Sequence, residues 1–175
     1  MKYLICILLF SCVTPVFAQD SDSLIYWKED RKLSWQDFKY RDDFEGFGKA
    51  IILPKIMLSY IIEDDLVSID VKACMVKGKS STSDTVSEGL LKHEQIHFDI
   101  GEYYARKIRS SEDELNELYD ITIEYVDDYL NSLLDEYNEF QTIYDYETAH
   151  GSDDKMQEKW NHRVDSLLND LKEYE

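Results

Sequence analysis

Two of the chain's four histidines, His93 and His97, stand four residues apart with Glu94 beside the first, in the run LLKHEQIHFDIGEYYARKI from Leu90 to Ile108. Residues four apart on an α-helix share a face, about 40° from superposition, so both imidazoles can turn toward one ion. Glu94 lies one position round from His93, close enough to serve a bound water without being a ligand. This is the H-E-x-x-H arrangement, which suits Zn²⁺: two nitrogen ligands at about 2.0–2.1 Å and a carboxylate that takes the water's proton. The competing reading is a solvated histidine pair beside an unrelated glutamate.

The neighbours argue for burial. Leu90, Ile100 and Tyr104 fall on the same side as the two histidines, which predicts a covered face. Gly101 costs about 1 kcal/mol relative to alanine inside a helix, and its presence predicts close approach by another segment.

A catalytic zinc takes three protein ligands and keeps one position open. Glu102, five residues past His97, is rotated about 140° round the helix and cannot join the pair. Ile100 and Tyr103 occupy the positions where a glycine and a third histidine would extend the motif. His150, in YDYETAHG, is therefore the expected third ligand, a helix-capping loop histidine being its plain alternative. Asp145 and Glu147 are substitute ligands, or groups that orient imidazoles by accepting an N–H. Tyr144 and Tyr146 can donate to an oxyanion, and Tyr146 is taken with Glu94 as catalytic. His162, beside the Trp160 stripe, reads as structural.

Elements must bring these residues together. KIMLSYIIE and LVSIDVKACMV, separated by Asp64 and Asp65, are rich in β-branched residues, and Val67, Ile69, Val71 and Ala73 alternate onto one face. They predict an antiparallel pair. Upstream, aromatic residues mixed with charges predict short extended pieces anchored by Trp27, Trp35 and Phe38. After the polar break KGKSSTSDTVSEG the period becomes helical. A first helix is expected from about Thr85 or Ser87 to Arg109, capped by Ser87; a second from Ser110, where SEDE supplies a cap and first-turn acids; a third over DKMQEKWNHRVDSLLNDLKEY. Between the last two, IYDYETAHGSDD reads as a loop closed by Gly151. The expected fold class is α+β: a small antiparallel sheet, then a long HExxH helix and two further helices.

Residues 1–18 carry one charge, Lys2, followed by an apolar run, Pro15 and a small residue at Ala18. This is the layout of a signal peptide cleaved after Ala18, shorter than the about 20 apolar residues of a membrane span. It predicts a secreted or periplasmic domain over residues 19–175. Lipoprotein processing at Cys12 is the alternative, disfavoured by Phe10 and the short apolar segment. Cleavage would remove Cys6 and Cys12, leaving Cys74 and no internal disulfide. The formal charge of −18 repels phosphate backbones and anionic lipid, so neither nucleic acid nor a membrane surface is an expected partner.

LLKHEQIHFDIGEYYARKI, YDYETAHG followed by Gln157 and Trp160, and the upstream LSWQDFK together resemble an uncharacterised bacterial family described as predicted secreted zinc-dependent proteases. The resemblance covers most of residues 19–175 and keeps the family's motif order. It implies a zincin-like peptidase fold with His93 and His97 as ligands, Glu94 as the catalytic glutamate and His150 matching the family's loop histidine.

The expected activity is hydrolysis of an amide bond in a peptide or protein substrate, with Zn²⁺ held by His93, His97 and His150 and Glu94 as general base. By analogy, the substrate backbone pairs with the strands at 54–76. The alternatives are a non-catalytic secreted binding or scaffold protein with a structural or vestigial metal, and an amidase of cell-wall peptides.

Overall fold

The computed structural model describes residues 24–43 and 49–175. The expected leader, its cleavage after Ala18 and the processing alternative at Cys12 lie outside these residues. Among the described residues no helix is long and apolar enough to cross a membrane.

In chain order the strands are β1 (Leu24–Tyr26), β2 (Lys39–Tyr40), β3 (Ala50–Ile51), β4 (Pro54–Glu63), β5 (Leu66–Val76) and β6 (Ser81–Thr82). The helices α1 (Glu88–Leu115), α2 (Ile123–Glu147) and α3 (Asp154–Asp170) follow. The class is α+β, as expected. The expected pair is the antiparallel hairpin β4–β5, in register from Pro54↔Met75 to Glu63↔Leu66. Asp64 and Asp65 make its turn with φ of 50° and 63°, a left-handed conformation that short polar side chains tolerate. β1 adds to the other side of β5. A second, smaller sheet of β2, β6 and β3 goes beyond the expectation; it is mixed, since β2 runs parallel to β6.

The helix boundaries differ from the expected ones. Ser110 caps nothing: α1 runs through it to Leu115, because the hydroxyls of Ser110 and Ser111 donate back to the carbonyls of Lys107 and Ile108 within the helix. The true break comes at Asp120, with φ of 55°, and Thr122 caps α2 through the N–H of Tyr125. Likewise α2 continues to Glu147, so Tyr144, Asp145, Tyr146 and Glu147 form its last turn and the loop shrinks to residues 148–153. Ser87 does cap α1, accepting from the N–H of Leu90. In the upstream segment Phe38 and Leu33 are buried, whereas Trp27 and Trp35 are half-buried and pack at the edge of the core.

α1 is the central element, with core on three sides. Val67, Val71 and Ala73 of β5 pack on Ala105, Ile108 and Leu115, and α2 adds Val126 and Leu130. Ile96, Ile100 and Tyr104 meet Tyr137, Tyr144, Trp160 and Val164 of α2 and α3. Phe98 joins Leu33, Phe38, Ile52 and Met75. The charges that α1 buries must be paired. Asp99 accepts from the indole of Trp27 at 2.7 Å and from Gln95 at 2.8 Å. Glu102, turned away from the histidines, bridges Arg106 and Arg109 at 3.1 and 3.0 Å.

Gly101 faces Ala73 of β5, as the expected close approach requires, but a methyl there would meet the Ala73 methyl at 3.7 Å, an ordinary contact. The glycine is not demanded by space. Gly101→Ala is therefore expected to stabilise the fold by about 0.5–1 kcal/mol through helix propensity and a less flexible unfolded chain. Thermal melting would show it, and a lower midpoint would mean that the α1–β5 packing cannot take the methyl.

Candidate metal centre

His93 and His97 leave α1 toward α2 and are 3 % and 9 % exposed. Asp145, on the last turn of α2, places Oδ1 3.1 Å from Nε2 of each ring, and the two Nε2 atoms are 3.2 Å apart. Tyr144 lies under the pair, its ring stacked on His93 at 4.7 Å and 22° and edge-on to His97 at 4.7 Å.

The far sides of the rings decide what the near sides can offer. Gln141 Nε2 donates to the carbonyl of His97 at 2.9 Å, an obligate acceptor, so its amide oxygen must face His97 Nδ1, 2.5 Å away. His97 therefore carries a proton on Nδ1, and in the neutral ring Nε2 turns a lone pair inward. Gln157 does the same for His93: its amide nitrogen donates to the Tyr144 hydroxyl and to Asn161, and its oxygen lies 3.1 Å from His93 Nδ1. With both rings neutral in that tautomer, three lone-pair atoms converge, an arrangement that a cation between them would satisfy. Their separations of 3.1, 3.1 and 3.2 Å are close to the about 3.3 Å between ligand atoms on a tetrahedral ion with bonds of about 2.0–2.1 Å. Two imidazoles and a carboxylate suit Zn²⁺ and disfavour the all-oxygen ions Ca²⁺ and Mg²⁺. His93, His97 and Asp145 could therefore hold a divalent transition ion.

When a ring is protonated instead, its Nε2–H donates to Asp145. Burial pushes the Asp145 carboxyl up, but the hydrogen bonds and charges of His93 and His97 outweigh it and hold the group well below the usual carboxylate range. Burial lowers His97, yet the hydrogen bond to Asp145 and the charges of Glu94 and Asp145 leave it raised. The cluster favours positive charge at its centre.

Gln141 is expected to act through His97. Gln141→Leu keeps the shape and removes the acceptor for Nδ1–H, so zinc affinity should fall about 10–100-fold in competition with a chromophoric chelator. Unchanged affinity would remove this role.

Glu94 lines the same cleft and is 3 % exposed, with Oε2 accepting the N–H of Ile52 at 2.8 Å. Burial is the main influence on its carboxyl and raises it, against the pull of His97 and His93. The cleft encloses about 390 Å³ between the extended residues 50–54 and the inner face of α2. A larger hollow of about 490 Å³, by Trp27 and Arg109, lies elsewhere, and its buried Glu102 is committed to Arg106 and Arg109.

His150 lines the cleft with its side chain 48 % exposed, and its Nδ1 is 3.3 Å from Asp145 Oδ1, so all three histidines meet that one oxygen. Tyr146, about 100° round α2 from Asp145, is 83 % exposed and outside the cleft lining. The Tyr144 hydroxyl is buried, donating to the His93 carbonyl, and burial raises it far above the usual phenol range. Glu147 accepts from the indole of Trp160 at 2.8 Å and anchors α3. His162 is exposed on α3.

Gly151 answers to a tight fit. The backbone turns through three left-handed residues, Ala149, His150 and Gly151, with φ of 48°, 52° and 77°. It then passes so near His93 that a Cβ on Gly151 would lie 2.9 Å from the ring's Cγ. Any side chain would displace a ring whose Nε2 belongs to the cluster. The roles of Gln141 and Gln157 toward the two rings and this packing role of Gly151 were not read from the sequence. A signal existed for the first: Gln141 precedes Asp145 by four residues, the same spacing as His93 and His97, once the helix is extended to Glu147.

Residues 76–151 match the model of a family described as a bacterial protein of unknown function, DUF922. The matched span holds His93, Glu94, His97, Asp145, His150 and Gly151. No curated protein and no solved structure matches the chain.

Proposed function

We propose that this protein is a secreted, zincin-like zinc hydrolase, a peptidase acting on amide bonds. One observation carries the reading: two imidazole nitrogens and a carboxylate oxygen converge at 3.1–3.2 Å in a cleft that also holds a buried glutamate. His93, His97 and Asp145 hold the ion in this reading, and His150 contacts the carboxylate ligand from the cleft mouth. Zinc, when bound, supplies Lewis-acid polarisation and brings the pKa of a water down to about 7.

The chain's own groups do the rest. Gln141 and Gln157 keep both Nε2 lone pairs inward. Glu94, steered by the N–H of Ile52, takes a proton from the attacking water and passes it to the leaving nitrogen. Its raised carboxyl pKa matches that task, because a stronger acid would hold the proton too weakly to collect it. The leader-like residues 1–18 support export.

Elemental analysis of purified protein beside a mass-spectrometric screen of a broad peptide library tests the proposal. The expected result is about one zinc per chain, with cleavage that stops on chelation and returns with zinc. Stoichiometric zinc with every peptide intact would leave the binding or scaffold reading. Absence of zinc from metal-replete protein would remove the centre.

A further inference from the structure

Resting on that reading, we infer that the cleft takes an internal amide bond of an extended peptide, flanked by a large apolar side chain, rather than a chain terminus. The wall at residues 50–54 supplies the first reason. Side chains alternate along an extended segment. Ile52 packs in the core with Phe38 and Phe98 and reaches the cleft only from beneath, while Ile51 and Leu53, on the alternate side, line it. Ile51 is 51 % exposed, an apolar group held in water beside the metal cluster on a strongly acidic protein. Pro54, Leu90 and Tyr137 continue the apolar lining. Such a surface gains by covering apolar side chains and penalises the burial of charged ones against it.

The missing charges supply the second reason. An enzyme that trims ends must pair the terminal charge it desolvates, an α-carboxylate with Arg or Lys, an α-ammonium with a further acid. Among the described residues no Lys or Arg lines the cleft. Its two carboxylates are engaged, Glu94 by the Ile52 N–H and Asp145 by the histidines. The net charge of −18 further repels a terminal carboxylate. An uncharged backbone running through is what this lining accepts.

The test uses the zinc-loaded full chain and short peptides with one central Leu, Phe, Asp or Lys, each with free ends and with both ends blocked. Blocked peptides should be cut as readily as free ones, and bonds beside Leu or Phe at least about tenfold faster than those beside Asp or Lys. Ile51→Lys, on an exposed position, should lower kcat/KM for the apolar peptides about tenfold and narrow the gap to the Asp peptide. Independently of turnover, Glu94→Gln should bind the blocked Leu peptide at least about tenfold more tightly than the blocked Asp peptide. Loss of cleavage on blocking either end, or equal cutting beside Asp, would overturn this inference and leave the hydrolase standing. Absence of all cleavage would overturn the hydrolase, and the binding comparison would still decide what the cleft accepts.

Discussion

Glu94→Gln is expected to lower kcat/KM by about 10²–10⁴ while zinc content and folding stay unchanged. The substitution is nearly isosteric, and the amide oxygen can still accept the N–H of Ile52 that Glu94 Oε2 accepts at 2.8 Å. What disappears is a carboxylate able to take and return a proton. Stability should not suffer, because burial already disfavours the ionised form of this group and an amide avoids that desolvation. Steady-state kinetics on a peptide cleaved by the parent, beside elemental analysis and a thermal melt, would separate the outcomes. Full activity in the variant excludes Glu94 as the base. Loss of zinc together with activity would make it a structural support of the cluster instead.

Asp145→Ala and His150→Ala should part company. The total zinc binding free energy of a structural site is about 10–16 kcal/mol, so one lost ligand should weaken affinity by about a hundredfold or more. Asp145 meets that description, because Oδ1 stands 3.1 Å from Nε2 of both His93 and His97, which hold its carboxyl below the usual carboxylate range. His150, half exposed and 3.3 Å from the same oxygen, acts on the carboxylate, and its loss should cost about 10–100-fold at most. Competition against a chelator of known affinity measures both. Equal losses would place His150 among the ligands and leave a closed site of four, favouring a structural metal over a catalytic one. Unchanged affinity in Asp145→Ala would dissolve the ligand set.

The sequence expectation of His150 as third ligand and the structural case for Asp145 differ for a definable reason. Read as a loop, YDYETAHG leaves each of its polar groups free to point anywhere, and a histidine is then the better candidate. Once α2 runs to Glu147, side-chain directions there are set in steps of about 100°, and Asp145 faces the cluster while Tyr146 faces solvent. The misplaced boundary at Ser110 has the same origin. Serine hydroxyls serve equally as caps and as back-bonded helix residues, and burial of Ile108, Ser111 and Leu115 decides between the two.

What could be read from the chain alone is what depends on neighbours within one element. The spacing of His93 and His97 already aligns them, alternation from Val67 to Ala73 already marks the buried face of β5, and Ser87 already caps α1, because backbone geometry relates residues a few positions apart. Tertiary structure alone brings Asp145 to the two imidazoles, points Gln141 and Gln157 at their outer nitrogens, packs Gly151 against His93 and lays the Ile52 amide on Glu94. These partners lie 42 to 64 residues apart in the chain, and their meeting depends on how α1, α2, α3 and the 50–54 segment pack. Local periodicity carries no information about that packing, since hydrophobic burial brings whole faces together and only the assembled faces determine which polar atoms touch.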